Sequence, residues 1–189
     1  MVFYLLQPLR PLINCPKEYQ NGARIDPKEF FIFNRDLIWC NVFKSASTSI
    51  LYIMGLVEGF TVRQLKSMSR HPLVNEMRKI YGRPTLAQLL NVTNQSQVKT
   101  FVVKRHPFKR LFSGYRNKVL RAHRGSIHDK MSAKILEKYR QLPRHQYEFR
   151  KTVPTFAEFV TYVLDTYEQE GIIDMHWAPV VDFCSICKV

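Results

Sequence analysis

The chain has 189 residues, of which 46% are hydrophobic and 13% aromatic. That length suits one domain with a packed core, and with only 7 glycines and no low-complexity tract the composition excludes a chain disordered over most of its length. Lysine and arginine total 29 against 15 acidic residues, a formal net charge of +14; such an excess favours anionic partners, whether nucleic acid, a charged polysaccharide, a phosphate-bearing cofactor or an acidic membrane surface.

Residues 1–36 read as an irregular N-terminal segment punctuated by Pro8, Pro11, Pro16, Gly22 and Pro27. The stretch MVFYLLQPLRPLINCP lacks the layout of a signal peptide, and the sequence contains no apolar run of about 20 residues that would span a membrane. The folded domain is expected over 37–189. Leu37 to Phe43 reads as a strand buried on both faces, as in a parallel sheet, and Ser47 to Val57 as a helix. Residues 61–95 read as short helices and loops broken by Pro72, Gly82 and Pro84. The adjacent sequons Asn91-Val-Thr93 and Asn94-Gln-Ser96 lean toward a lumenal protein.

Val98 to Lys104 is a second buried strand. A helix follows from Pro107, which suits the first helical turn, to about Arg124, with Phe108, Leu111, Phe112, Tyr115 and Val119 on one apolar face. Residues 126–152 are strongly basic and helical around Met131 to Gln141. Thr155 and Glu158 form a capping box for a helix through about Tyr167, ended by Gly171; the tail DMHWAPVVDFCSICKV reads as a loop or short strand. Two strands that each run into a helix point to an α/β layout with a parallel sheet. Cys40, inside an apolar run, reads as a buried small hydrophobe. Cys184 and Cys187 form a lone C-x-x-C, short of the four ligands of a structural zinc site.

Two segments carry chemistry. WCNVFKSASTSI, residues 39–50, takes a strand through Lys44 into a helix. Unpaired N–H groups and the helix dipole make such a turn an anion pocket, to which Lys44 adds a charge and Ser45, Ser47, Thr48 and Ser49 add hydroxyls, one of which can cap the helix. It is not a Walker A loop, since residues 39–48 hold no glycine, and a nucleotide kinase loses support. After the second strand, Arg105 emerges at a helix start, and on the helical wheel Ser113 shares a polar face with Lys109 and Arg116, a grouping suited to a dianionic phosphate. Adjacent parallel strands would open both sites on one sheet edge.

VFKSASTS and VVKRHPFKRLFSGYRNK resemble the 5′-phosphosulfate and 3′-phosphate motifs of sulfotransferases, and FVTYVLD and HWAPVVDFCSIC resemble segments of the Golgi carbohydrate sulfotransferases that modify chondroitin, dermatan and related glycans. The resemblance covers about residues 34–189. It implies a P-loop-like sulfotransferase fold, 3′-phosphoadenosine 5′-phosphosulfate (PAPS) as donor without a metal, and transfer of a sulfuryl group to a sugar hydroxyl, GalNAc 4-O of a chondroitin- or dermatan-like chain. Phe43, Lys44, Ser45, Ala46, Ser47, Thr48 and Ser49 would then hold the 5′-phosphosulfate, and Arg105 and Ser113 the 3′-phosphate. Lys44 would stabilise charge developing in the transfer. The base would be His71, between the two motifs, or His176 in the HWAP segment. The basic stretch Arg116 to Lys151 would meet the anionic glycan. Members of this family usually carry an N-terminal anchor in the Golgi membrane and continue past the C-x-x-C, with further cysteines that can pair with it, so the chain is expected to be a C-terminally truncated member, a short isoform or a divergent one. The competing reading is a non-catalytic glycosaminoglycan-binding protein on a degenerate sulfotransferase fold.

Overall fold

In a computed structural model of the protein, the described residues are 2–6, 27–33, 37–68, 70–93, 97–171, 174–180 and 184. Cys15, Cys187 and the second sequon lie outside them. The chain divides into two compact units where the sequence suggested a single domain: residues 1–105 with 179–189, and residues 106–178.

The first unit is built on four strands, β1 (Val2–Leu6), β2 (Phe30–Phe33), β3 (Leu37–Cys40) and β4 (Lys99–Lys104), in the order β1-β4-β3-β2. The central pair is parallel, with Leu37 opposite Lys99 and Cys40 opposite Val102. Both outer strands run antiparallel to their neighbours. The sheet is therefore mixed rather than parallel throughout, and both edge strands come from the segment read as irregular. β1 (VFYLL) and β2 contain no proline, and the run FFIF at Phe30–Phe33 is a four-residue block of β-favouring side chains.

A parallel pair needs a long crossover, supplied here by α1 (Ser47–Val57), α2 (Val62–Ser67), α3 (Arg70–Tyr81) and α4 (Leu86–Thr93). Phe31, Trp39, Leu51, Met54, Leu65, Met77 and Val103 form the core of this unit. Gly55 is required by close approach: a Cβ there would lie 2.5 Å from Leu65 Cδ2, so α2 packs where no larger residue fits on α1. Arg78 stacks 3.5 Å over the Phe31 ring and donates to the Phe30 carbonyl at 2.7 Å. Burial pulls its guanidinium pKa down to about 10. Cys40 is not a free hydrophobe but is disulfide-bonded to Cys184, 144 residues away; the C-x-x-C is thereby split, because Cys184 pairs across the unit and not within its own motif.

The second unit holds α5 (Pro107–Lys118), α6 (Ile127–Arg140) and α7 (Phe156–Glu170) around Tyr115, Val119, Ile135, Phe159, Val163 and Trp177. The capping box at the start of α7 forms as the sequence implies, with the Thr155 hydroxyl accepting from the Glu158 N–H and the Glu158 carboxylate accepting from the Thr155 N–H. Gly171 ends the helix in the left-handed region at φ 65°. Glu158 also takes a forked pair of bonds from Arg140, at 2.9 and 2.7 Å, and these hold its carboxyl below the usual range. The apolar face expected on α5 is only half buried. Tyr115 and Val119 are inside, but Phe108 is 75% exposed and Phe112 45%. Arg110 is buried instead, donating to the carbonyls of Ala178 and Met175. Gly114 lies so close to Trp177 that a Cβ would sit 3.1 Å from its Cε3.

Candidate functional site

The β3–α1 turn is set by its backbone. Asn41 closes the end of β3, its N–H donating to Glu29 O at 2.9 Å and its Nδ2 to the Glu29 carboxylate at 3.1 Å. Lys44 and Ala46 then adopt φ of 65° and 66°, a left-handed conformation that non-glycine residues rarely hold and that is concentrated at functional turns. The Ser45 N–H and the Ser47 hydroxyl both donate to Val42 O, at 3.2 and 3.0 Å. The expected hydroxyl cap does not form: Ala46 occupies the N-cap position of α1 without a side-chain cap. Among the described residues the buried Ser45 Oγ has no hydrogen-bond partner, and a buried polar atom left so is costly unless something else satisfies it. Phe43 and Lys44 are half-buried, while Thr48 and Ser49 are exposed on the first turn of α1. The turn thus offers uncapped helix N–H groups, the positive end of the helix dipole and a lone hydroxyl in one place, the ingredients of an anion seat.

Arg105, at the end of the neighbouring parallel strand, meets this turn directly: its Nη1 donates to the Lys44 carbonyl at 3.1 Å. The two cations singled out from the sequence therefore occupy adjacent turns of one sheet edge. Ser113 is half-buried on α5 in the second unit. His71 falls in the first turn of α3, and its side chain lies outside what the structure describes.

His176 belongs to a second constellation, in the helical unit. Its Nδ1 lies 2.6 Å from Asp174 Oδ1 and its backbone N–H donates to the same oxygen at 2.8 Å; His128 Nε2 lies 3.0 Å from Asp174 Oδ2. Burial would raise the Asp174 carboxyl, but the bonds from His128 and His176 outweigh it and hold the group far below the usual carboxylate range. The sequence reading singled out His176, but it missed Asp174 and Arg110. The Asp-x-His spacing in DMH was the available signal for the former; nothing local signals that Arg110 is needed by a turn 65 residues on. The donor atoms of His128, Asp174 and His176 lie within 4.8 Å of one another, close enough to hold a metal. The same cleft also presents Lys130, Lys134 and Arg144, whose charge opposes a dication and favours reading the trio as an ionised carboxylate bracing two imidazoles.

A mixed sheet whose two parallel strands deliver Lys44 and Arg105 to one edge is compatible with the α/β fold of a sulfotransferase. A family model described as "Sulfotransferase family" matches residues 28–189, and the chain belongs to this family. It is 30% identical over 161 residues to carbohydrate sulfotransferase 11 of Rattus norvegicus and of Mus musculus, covering 82% of this chain and 45% of theirs. It is 32% identical over 92 residues to carbohydrate sulfotransferase 14 of Danio rerio, covering 47% of this chain and 23% of that protein. The chain thus spans about half the length of the first of these relatives. No solved structure matches it significantly.

Proposed function

We propose that the chain carries the donor-handling part of a PAPS-dependent carbohydrate O-sulfotransferase whose acceptor is a chondroitin- or dermatan-like glycan sulfated at GalNAc O4. The observation that carries this reading is the bond from the Arg105 guanidinium to the Lys44 carbonyl. One nucleotide with phosphates at both ends can be met at once by two such adjacent turns. In this reading the segment Phe43 to Ser49 receives the 5′-phosphosulfate, with the orphan Ser45 hydroxyl and the uncapped α1 amides as donors. Lys44 offsets the charge that builds up as the sulfur–oxygen bond to the phosphate breaks. Arg105 takes the 3′-phosphate. The sugar hydroxyl loses its proton to a histidine, either His71 or His176. The bond from His176 to ionised Asp174 fixes the tautomer and orientation of that ring, which favours it chemically.

The Cys40–Cys184 disulfide supports residence in an oxidising compartment such as the Golgi lumen. None of the described helices is long and apolar enough to cross a membrane, so attachment to the Golgi membrane would rest on an anchor other than these helices. The test is binding of adenosine 3′,5′-bisphosphate. Lys44→Ala and Arg105→Ala should each weaken it at least tenfold while leaving the melting temperature within a few degrees. Wild-type affinity in both folded variants would end this reading. Retained glycan binding with no transfer of labelled sulfate in a full-length protein would favour the non-catalytic alternative.

A further inference from the structure

The helical unit contains a cleft of about 480 Å³, within the ~300–1,000 Å³ usual for ligand sites. One wall is α6, from which Lys130 and Lys134, one turn apart on a single face, line the opening. Arg144, in the 3₁₀ turn that follows α6, is a third cation on the lining. The other wall is α7; Met131, Tyr162 and Val163 from the two helices and Trp177 from the turn at 174–178 give an apolar lining. Three other cations of this unit are matched: Arg140 bonds Glu158, Lys138 bonds Asp165 and Lys151 bonds Glu148. Lys130, Lys134 and Arg144 have no ion pair among the described residues. The lining carboxylates are Asp174, already bracketed by His128 and His176, and Glu170. Three cations without an ion pair that line one partly apolar hollow form a site suited to an anion with an apolar face.

We propose that this cleft binds an anionic saccharide unit, a sugar bearing a carboxylate or sulfate. The sugar's C–H face lies on the Tyr162 and Trp177 side, and its charged groups lie toward Lys130, Lys134 and Arg144. The sugar chemistry rests on the glycan reading above. The site itself rests on the cleft and its cations alone, and it makes the helical unit, independent of the donor turn, a carrier of acceptor recognition.

The test measures the dissociation constant of a chondroitin sulfate hexasaccharide for the full chain, without nucleotide, at 0.15 M salt. The variant Lys130→Gln/Lys134→Gln/Arg144→Gln should weaken binding at least tenfold. A charge-matched control, Arg63→Gln/Lys66→Gln/Arg83→Gln, removes exposed cations of the sheet unit that do not line the cleft and should shift it less than twofold. Polyglutamate of equal charge separates sugar recognition from bare charge: Tyr162→Ala should weaken the hexasaccharide and leave polyglutamate unchanged. Equal weakening by both triple variants, or none by the first, overturns the proposal, as does polyglutamate binding as tightly as the saccharide with the same response to Tyr162→Ala. Adenosine 3′,5′-bisphosphate binding is measured on the same samples. Saccharide binding in the cleft without nucleotide binding would sink the enzyme reading and leave the cleft standing, and the reverse would sink the cleft alone.

Discussion

At Asp174, burial and hydrogen bonding pull in opposite directions, and the bonds from the two imidazoles win. A carboxyl whose pKa is depressed by folding adds stability at every pH above its unfolded value, about 3.9, and that increment fades as the pH falls toward the folded value. Asp174→Asn should therefore cost roughly 2–3 kcal/mol at pH 7, read from urea midpoints. The gap to the wild type should persist at pH 5 and narrow as the pH drops from about 4 toward 2. A gap that is constant or widens over that acid range would show that the carboxylate is not held by its charge. The residues of the Lys44 turn were legible in the sequence because their chemistry is local: a lysine and a hydroxyl run after an apolar strand. The hydroxyl roles were not. Which serine bonds back to Val42 and which is left without a partner depends on the positive φ at Lys44 and Ala46, and no residue type there announces it. The pairing of His128 with Asp174 spans 46 positions and leaves no periodic trace.

Elements whose ends are written in their own residues came through intact. The capping box of α7 and its glycine stop are examples, and α1 runs from Ser47 to Val57 as its pattern implies. Faces were harder, because the partner decides what a face buries. α5 has a well-formed apolar stripe, yet Phe108 stays in solvent and Arg110 goes inside, since the carbonyls of Met175 and Ala178 need a donor. The same packing fixes Gly114. A helix interior ordinarily gains up to about 1 kcal/mol when glycine is replaced, but here Trp177 already fills the space a Cβ would enter. Gly114→Val should destabilise the chain by about 2 kcal/mol, lowering its thermal midpoint, and should perturb the near-ultraviolet signal of Trp177. A neutral or stabilising valine would mean that the turn at 174–178 does not rest on α5.

Across the whole molecule, the mixed sheet and the division into two units were the features least visible beforehand. The edge strands are short and surrounded by prolines, and the covalent link between Cys40 and Cys184 joins residues 144 apart. In the chain-entropy estimate a loop of that length stabilises the fold by about 5 kcal/mol. Mild reduction should therefore lower the unfolding midpoint by roughly 10–20 °C, and Cys184→Ser should show the same lowered midpoint without reductant. An unchanged midpoint in both would deny the bond any part in stability. The bond also has a topological consequence. Both of its sulfurs belong to the sheet unit, and the entire helical unit, residues 106–178, lies on the loop between them. That unit is a bead on a closed ring, entering and leaving the sheet unit through a circuit sealed by sulfur. A protease that nicks an opened helix there leaves one particle, its two pieces parting only when a reductant is added.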